Sequence, residues 1–246
     1  MGNGMKKMLR KRAMVLALVF SMLAGVFGFT ENAYAKAYSW MDTATLLPAE
    51  TAMGGVFTRT GEKIYYISVP ETMDINLCVG VPGTKTAGVL IYGSNGKTLK
   101  SFYGSKQWSY SKKNGINFFE YSARFSKGVY YIGIKNFGSI SKYALTYSAK
   151  LAKKVNLKNL KRYSSTSTII TWTKLSSVTG YEVYRATSLN GTYKRIATAS
   201  SSRNYYIDRS ITNGRSYYYF VKAYRMINGK KIYSYSSAIG RITLSR

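Results

Sequence analysis

The chain has 246 residues but no histidine and a single cysteine. Without histidine there is no imidazole base, no Ser-His-Asp triad and no histidine metal ligand. One cysteine excludes an intramolecular disulfide and a cysteine-cluster zinc site. Because Cys78 lies in the alternating apolar segment Ile75 to Val79, we expect a small buried hydrophobe rather than a reactive thiol.

Acidic residues are also scarce, since 9 Asp plus Glu stand against 37 Lys plus Arg. So few carboxylates leave little for a calcium site, which needs several oxygens around one ion. The segment Ser94 to Lys97 matches the S-x-x-K pattern of serine acylases, but it spans an Asn-Gly turn instead of opening a helix. A carboxylate pair among Glu62, Glu71 and Asp74 leaves a glycosidase open. We otherwise expect no enzyme, no cofactor and no metal.

The N-terminal 35 residues have the layout of a secretory signal peptide. Basic residues between positions 6 and 12 precede an uncharged, mostly apolar stretch from Ala13 to Phe29, and Ala33-Tyr34-Ala35 supplies a cleavage pattern. We expect cleavage after Ala35 and a secreted, extracellular protein without membrane contact, held at the cell wall by charge. An uncleaved anchor is the alternative, since about 17 apolar residues are the short limit of a membrane span.

Short segments rich in Tyr, Ile, Val and Thr alternate with turn signals along the rest of the chain. Examples are residues 63–69, 129–134, 168–172 and 217–223, and five Asn-Gly dipeptides indicate type I′ turns. The pattern predicts an all-β protein of two tandem β-sandwich domains. We place an N-terminal linker at 36–44, domains at 45–150 and 158–246, and a linker at 151–157. The basic run at 150–162 resembles a nucleic-acid patch, but no nucleic-acid-binding module surrounds it.

The C-terminal half resembles a fibronectin type III domain. Ile169-Ile170-Thr171-Trp172 is similar to the second strand of that family, with Trp172 in the core position, and Gly180 to Arg185 is similar to the third. Residues 211–223 are similar to the turn and sixth strand. The resemblance implies that Tyr217 forms a tyrosine corner. The GYEVYRA and GTYKRIA segments look like those of exported proteins of Gram-positive bacteria.

The N-terminal half resembles the jelly-roll-like domain found after secreted bacterial peptidases, the pre-peptidase C-terminal domain. The resemblance rests on residues 61–69, 125–134 and 143–147. Some members of that family bind calcium through acidic residues near the first strand. Glu62 and Lys63 stand there in this chain, so the resemblance does not carry calcium binding over.

Alternation along the sixth strand predicts that Tyr217, Tyr219, Val221 and Ala223 point inward. The opposite face then carries a candidate partner surface, since exposed aromatic patches mark interaction sites. Contact with the other domain, or the strand propensity of Tyr, would explain the same residues. Trp108, Tyr103 and Tyr110, in the Ser/Lys-rich stretch from Lys100 to Asn114, could stack on sugar rings; a mobile loop with an incidental tryptophan is the alternative. The candidate surface residues are Tyr184, Tyr218, Phe220, Lys222, Tyr224 and Trp108.

The net charge of the chain indicates the chemical class of its partner. After cleavage the net charge is +24, because five basic residues and Glu31 are removed. Such a protein is attracted to polyanions, with affinity that falls as salt rises. We expect a monomeric, non-catalytic binding or adhesion protein of the bacterial envelope. Its expected partners are anionic cell-wall polymers, extracellular protein or carbohydrate, and no specific nucleic acid. An accessory module or spacer beside a secreted peptidase or glycoside hydrolase is the alternative.

Overall fold

The computed structural model describes residues 43–244. The predicted signal peptide and residues 36–42 of the predicted N-terminal linker therefore lie outside the described residues. The chain divides between Ala149 and Lys150 into two compact units. Within residues 43–244 the secondary structure is β-strand apart from one short 3-10 turn, Ser105–Gln107, and no helix there is long and apolar enough to cross a membrane. The all-β prediction is confirmed.

The first unit is a β-sandwich. The strands of this unit are β1 (Thr45–Leu46), β2 (Met53–Val56), β3 (Gly61–Val69), β4 (Met73–Pro82), β5 (Gly88–Tyr92), β6 (Thr98–Phe102), β7 (Trp108–Ser111), β8 (Ile116–Phe125), β9 (Gly128–Asn136) and residues 142–149 of β10 (Lys142–Lys154). One sheet has the order β1-β3-β9-β5-β6, and the other contains β10-β4-β8-β7 with β2 antiparallel to β10. All neighbours in the first sheet are antiparallel except β1 and β3.

Alternate residues along the strands form the core between these two sheets. Every second residue of β3 is buried from Tyr65 to Val69, as Ile132 and Ile134 are on β9, because successive side chains of a strand face opposite sides. The Tyr65 and Tyr143 hydroxyls share a hydrogen bond of 2.8 Å from one sheet to the other. Cys78 is a free, buried thiol, as the sequence predicts.

The second unit contains two sheets that share a core. The strands are β11 (Leu157–Ser164), β12 (Ser167–Trp172), β13 (Gly180–Ala186), β14 (Lys194–Ser200), β15 (Tyr205–Asp208), β16 (Ser216–Ile227), β17 (Lys230–Tyr235) and β18 (Gly240–Thr243). Strands β11-β12-β15 form one sheet; in the other, β14, β13 and β16 are neighbours, and β17 and β18 both pair with β16. Residues 150–154 of β10 lie parallel to β17.

This strand order is that of a fibronectin type III-like sandwich. Trp172 is fully buried on β12, and its ring lies 5.4 Å from that of Tyr181 on β13. The Thr212 amide donates a 2.9 Å hydrogen bond to the Tyr217 hydroxyl, which confirms the tyrosine corner. The four β16 residues predicted to point inward are all buried.

Two local predictions differ from the structure. Residues 151–154 of the predicted linker are in β10, and Leu151 and Val155 are fully buried because they supply apolar side chains to the second unit. Among the five Asn-Gly dipeptides, only Asn228-Gly229 has positive φ at both residues, as a type I′ turn requires. There Ile227 and Lys230 pair directly, so a two-residue turn closes the hairpin.

Candidate ligand-binding face

The outward face of β13 and β16 brings most of the predicted surface residues together. Antiparallel register places Tyr184 opposite Phe220 and Glu182 opposite Lys222. Directly opposed side chains on one face of a sheet have Cβ atoms about 5 Å apart, so the members of each pair are neighbours on this face. The sequence predicts this grouping because residues alternate outward along β16 and the fibronectin type III resemblance makes β13 its neighbour.

The centre of this face is a stack of rings under a lysine. Tyr184 and Phe220 are stacked, with centroids 4.7 Å apart and planes 16° from parallel, and the Tyr193 ring lies 5.0 Å from that of Phe220. The Lys222 ammonium is 5.4 Å from the Tyr184 centroid, 5.3 Å from Phe220 and 5.9 Å from Tyr233. At these distances the ring quadrupoles attract the cation.

A carboxylate that the sequence analysis missed organises the same face. Glu182 is fully buried and accepts hydrogen bonds from the Lys231 ammonium at 2.7 Å, the Tyr184 hydroxyl at 2.6 Å and the Arg195 guanidinium at 2.9 Å. Burial alone would raise its pKa, but these three bonds more than offset burial and lower the pKa to about 2. The signal available in the sequence is one acidic residue at an outward position among aromatic ones.

Cations outnumber the carboxylate on this face. Arg195 and Lys231 pair with Glu182. Lys150 lies 5.1 Å over the Tyr235 ring, and neither it nor Lys222 forms an ion pair within residues 43–244. Burial, followed by the charge of Lys150, lowers the pKa of Lys222. The arrangement suits an anionic ligand with some apolar surface, because ring faces and ammonium groups are side by side. We name this set the Lys222 face: Lys150, Glu182, Tyr184, Tyr193, Arg195, Phe220, Lys222, Lys231, Tyr233 and Tyr235.

Tyr218 and Tyr224 lie at the two ends of the outward row on β16. Tyr218 is half-buried, and the Arg241 guanidinium lies 5.9 Å from its ring. Tyr224 faces outward but is 9% exposed, because it packs over Gly180 and under Lys231, whose ammonium is 4.4 Å from the ring. Tyr224 is therefore part of the packing beneath the face, and its prediction as an exposed contact residue is wrong.

Trp108 does not belong to an exposed surface. It is only 8% exposed, begins β7 and packs against Phe119 with ring centroids 5.9 Å apart. Register places Trp108 directly opposite Phe119, so the side chain fills the first unit. The prediction of a sugar-stacking loop tryptophan is therefore wrong. Tyr103 and Tyr110 of the same stretch remain 49% and 45% exposed.

Within residues 43–244 no group of three or more Cys, Asp or Glu side chains is placed to hold a metal ion. In the first unit, Asp74 forms a bidentate ion pair with Arg124, at 2.7 and 3.0 Å. The geometry of the Lys222 face is that of a binding surface: rings, ammonium groups and one carboxylate that is already hydrogen-bonded.

No family model and no curated protein matches the chain. Several solved structures match parts of the chain. An Fn3-like protein from Clostridium thermocellum is 27% identical over 37% of this chain and 92% of that one, with a TM-score of 0.30. A pectate lyase from Erwinia chrysanthemi, in complex with tetragalacturonic acid, is 27% identical over 34% of this chain and 27% of that one, with a TM-score of 0.29. A β-1,2-glucanase from Parabacteroides distasonis is 14% identical over 72% and 28%, with a TM-score of 0.32.

Proposed function

We propose that the protein is an exported, non-catalytic binding protein of the bacterial envelope or extracellular space, and that the Lys222 face binds anionic polymers. The observation that carries the proposal is the position of Lys222. Its ammonium lies over three aromatic rings and has no carboxylate in salt-bridge contact within residues 43–244. A phosphate or carboxylate of a polymer would supply that missing anion.

The division of charges on the face supports the same ligand class. Glu182 accepts hydrogen bonds from Arg195, Lys231 and Tyr184, whereas neither Lys150 nor Lys222 forms an ion pair within residues 43–244. Those two ammonium groups repel each other, since the charge of Lys150 lowers the pKa of Lys222. An anion bound between them would relieve the repulsion. The rings beside them offer apolar contact to the sugar or polyol part of the polymer.

Binding to isolated cell walls, with and without their phosphate polymers, tests the proposal. The purified protein should bind polymer-bearing walls at low salt and lose most of that binding at 0.5 M NaCl, because exposed charges are screened beyond roughly 4–5 Å at that ionic strength. Walls from which the phosphate polymers have been extracted should retain little protein at either salt concentration.

A matched pair of variants separates the face from the overall charge. Lys222→Gln and Lys158→Gln remove one positive charge each, but Lys158 lies on β11, away from the Lys222 face. We expect Lys222→Gln, and more so Lys222→Gln with Phe220→Ala, to weaken wall binding about tenfold. Lys158→Gln should lower it much less. Equal losses in the two single variants would reject the face as a site and leave only non-specific attraction.

Export is tested separately. If Ala33-Tyr34-Ala35 is the cleavage pattern, the secreted protein begins at Lys36 by N-terminal sequencing. Recovery of the uncleaved chain from the membrane fraction would show an anchor instead, and would contradict the proposed secretion without touching the binding proposal.

A further inference from the structure

Two half-exposed rings form a second aromatic surface, on the first unit. Tyr103 and Phe137 are 49% and 56% exposed, with centroids 5.9 Å apart and planes at 67°. Both lie over Gly88 of β5. A Cβ at that position would come within 3.0 Å of Tyr103 Cε1 and 3.2 Å of Phe137 Cε2. The glycine thus lets two rings pack against the strand while their outer faces stay open to solvent.

The chain around Phe137 is fixed by a buried amide. Asn136 is 4% exposed, and its Oδ1 accepts hydrogen bonds from the amides of Gly138 at 2.9 Å and Ile140 at 3.1 Å. Its Nδ2 donates to the Arg59 carbonyl at 3.3 Å. A backbone held in this way loses little conformational freedom when its side chain binds a ligand, which favours a preformed contact surface.

A hydrogen-bond acceptor, Glu62, and a hydrogen-bond donor, Lys135, lie on the strands beside the two rings. Register places Glu62 of β3, Lys135 of β9 and Gly88 of β5 in one row across three strands, on the outward side. The row is roughly 10 Å long, because neighbouring strands are about 4.8 Å apart. The Lys135 ammonium lies 5.6 Å from the Phe137 centroid. The surface therefore offers an acceptor, a donor and two ring faces on neighbouring strands.

Within residues 43–244, only one oxygen of the Glu62 carboxylate accepts a hydrogen bond. Its Oε1 accepts a 2.7 Å hydrogen bond from the Tyr92 hydroxyl, and within residues 43–244 no donor reaches Oε2. Gly133, directly beneath, leaves room for that carboxylate, since a Cβ there would collide with Glu62. A fixed carboxylate with a vacant oxygen accepts hydroxyl hydrogens well but repels anions.

We propose that this surface, made of Glu62, Lys135, Tyr103 and Phe137, binds a neutral saccharide chain. The C–H face of a pyranose packs on the open rings, and its hydroxyls donate to Glu62 and accept from Lys135. The open oxygen of Glu62 distinguishes the ligand from that of the Lys222 face, where both oxygens of Glu182 accept hydrogen bonds from the protein. The protein would then hold an anionic polymer with its second unit and a neutral polysaccharide with its first.

Isothermal titration with four neutral hexasaccharides at 0.5 M NaCl is the test, because salt suppresses charge-driven binding. The ligands are cellohexaose, chitohexaose, mannohexaose and xylohexaose. At least one should bind, and Tyr103→Ala or Phe137→Ala should weaken that binding about tenfold. Tyr110→Ala is the matched control, since Tyr110 is exposed to a similar degree on β7. Glu62→Gln should also weaken binding, because a carboxamide is a poorer acceptor for hydroxyl groups.

Two further measurements keep the test decisive. Aromatic proton resonances of Tyr103 and Phe137 in the unmodified protein should shift on addition of the bound hexasaccharide, a result that needs no variant to fold. Phe220→Ala with Lys222→Gln should leave saccharide binding unchanged, so failure of one proposal does not imply failure of the other. Absence of binding by all four hexasaccharides, or equal binding by Tyr103→Ala and the unmodified protein, would overturn the saccharide site.

Discussion

Between its two sheets the first unit places a pair of neutral phenols, whereas the second places an ion pair. Tyr65 and Tyr143 share one hydrogen bond of 2.8 Å. In the second unit, Asp208 is 1% exposed and accepts hydrogen bonds from the Arg185 guanidinium at 2.7 Å, the Tyr219 hydroxyl at 2.8 Å and the Ser210 amide at 2.9 Å. Both arrangements join strands of opposite sheets.

The two arrangements differ in the group that stays buried when its partner is substituted. In the first unit that group is a neutral hydroxyl, and in the second it is a charge. Burial raises the pKa of Tyr65 and Tyr143, so both phenols stay protonated at every ordinary pH and carry no charge. A lone buried hydroxyl has a modest desolvation cost. A carboxylate and a guanidinium depend on each other, because an unpaired charge in the interior is far more costly than an unpaired hydroxyl. The first unit should therefore tolerate polar substitution in its core better than the second.

Asp208→Ala should have the largest effect. It leaves the Arg185 guanidinium, 23% exposed, without its carboxylate and the Tyr219 hydroxyl without an acceptor. The expected loss is about 3–5 kcal/mol in the free energy of unfolding. Urea unfolding followed by tryptophan fluorescence measures it, because Trp172 is buried in the core of the second unit and becomes exposed when that unit unfolds. A loss below that of Tyr65→Phe in the first unit would contradict the comparison.

The second unit was also the more predictable from sequence. Its segments 169–172, 180–185 and 211–223 have family-specific spacing, so the sheets, the buried Trp172 and the corner at Tyr217 all follow from them. In the first unit the resemblance covers only three short strand segments, and alternation predicts strands but not which strands pair. Period-two patterns identify the buried face of a strand but contain no information on its neighbours.

At the candidate site, too, alternation predicts which face a residue is on but not which distant residues contact it. Alternation on β16 correctly grouped Phe220 and Lys222 with Tyr184, because these strands are adjacent in the predicted fold. It could not reveal that Glu182 lies under two cations from β14 and β17, since those contacts depend on long-range register. Trp108 and Tyr224 were misplaced because a sequence does not show which outward residues are covered by neighbouring side chains.

Glu182→Gln should have the next largest effect, and it depends on pH. Because the folded-state pKa of Glu182 is about 2, below its unfolded value near 4.5, the carboxylate stabilises the protein above pH 4.5. That contribution falls as pH drops from about 4.5 toward 2. At pH 7 we expect a loss of about 1–3 kcal/mol, from hydrogen bonds that involve charged partners. Urea unfolding at pH 7 and at pH 2.5 measures the difference.

Glu62→Gln is the matched control for this prediction. Glu62 also faces outward and accepts one phenol hydrogen bond, from Tyr92, but it has no cation bonded to it within residues 43–244. Its substitution should cost less than that of Glu182 at pH 7. If the two variants lose equal stability, the cations around Glu182 add nothing and the phenol bond accounts for both.

The smallest effect concerns the phenol pair of the first unit. Tyr143→Phe leaves the Tyr65 hydroxyl buried without its partner, which should cost about 1–2 kcal/mol, and Tyr65→Phe should cost a similar amount. The double variant removes both hydroxyls together, so it should be less destabilised than the sum of the two single variants, by about 1 kcal/mol or more. A thermodynamic cycle from urea unfolding of the four proteins gives this coupling. Strict additivity would mean that each hydroxyl interacts with something other than its partner, and the first unit would then tolerate polar loss no better than the second.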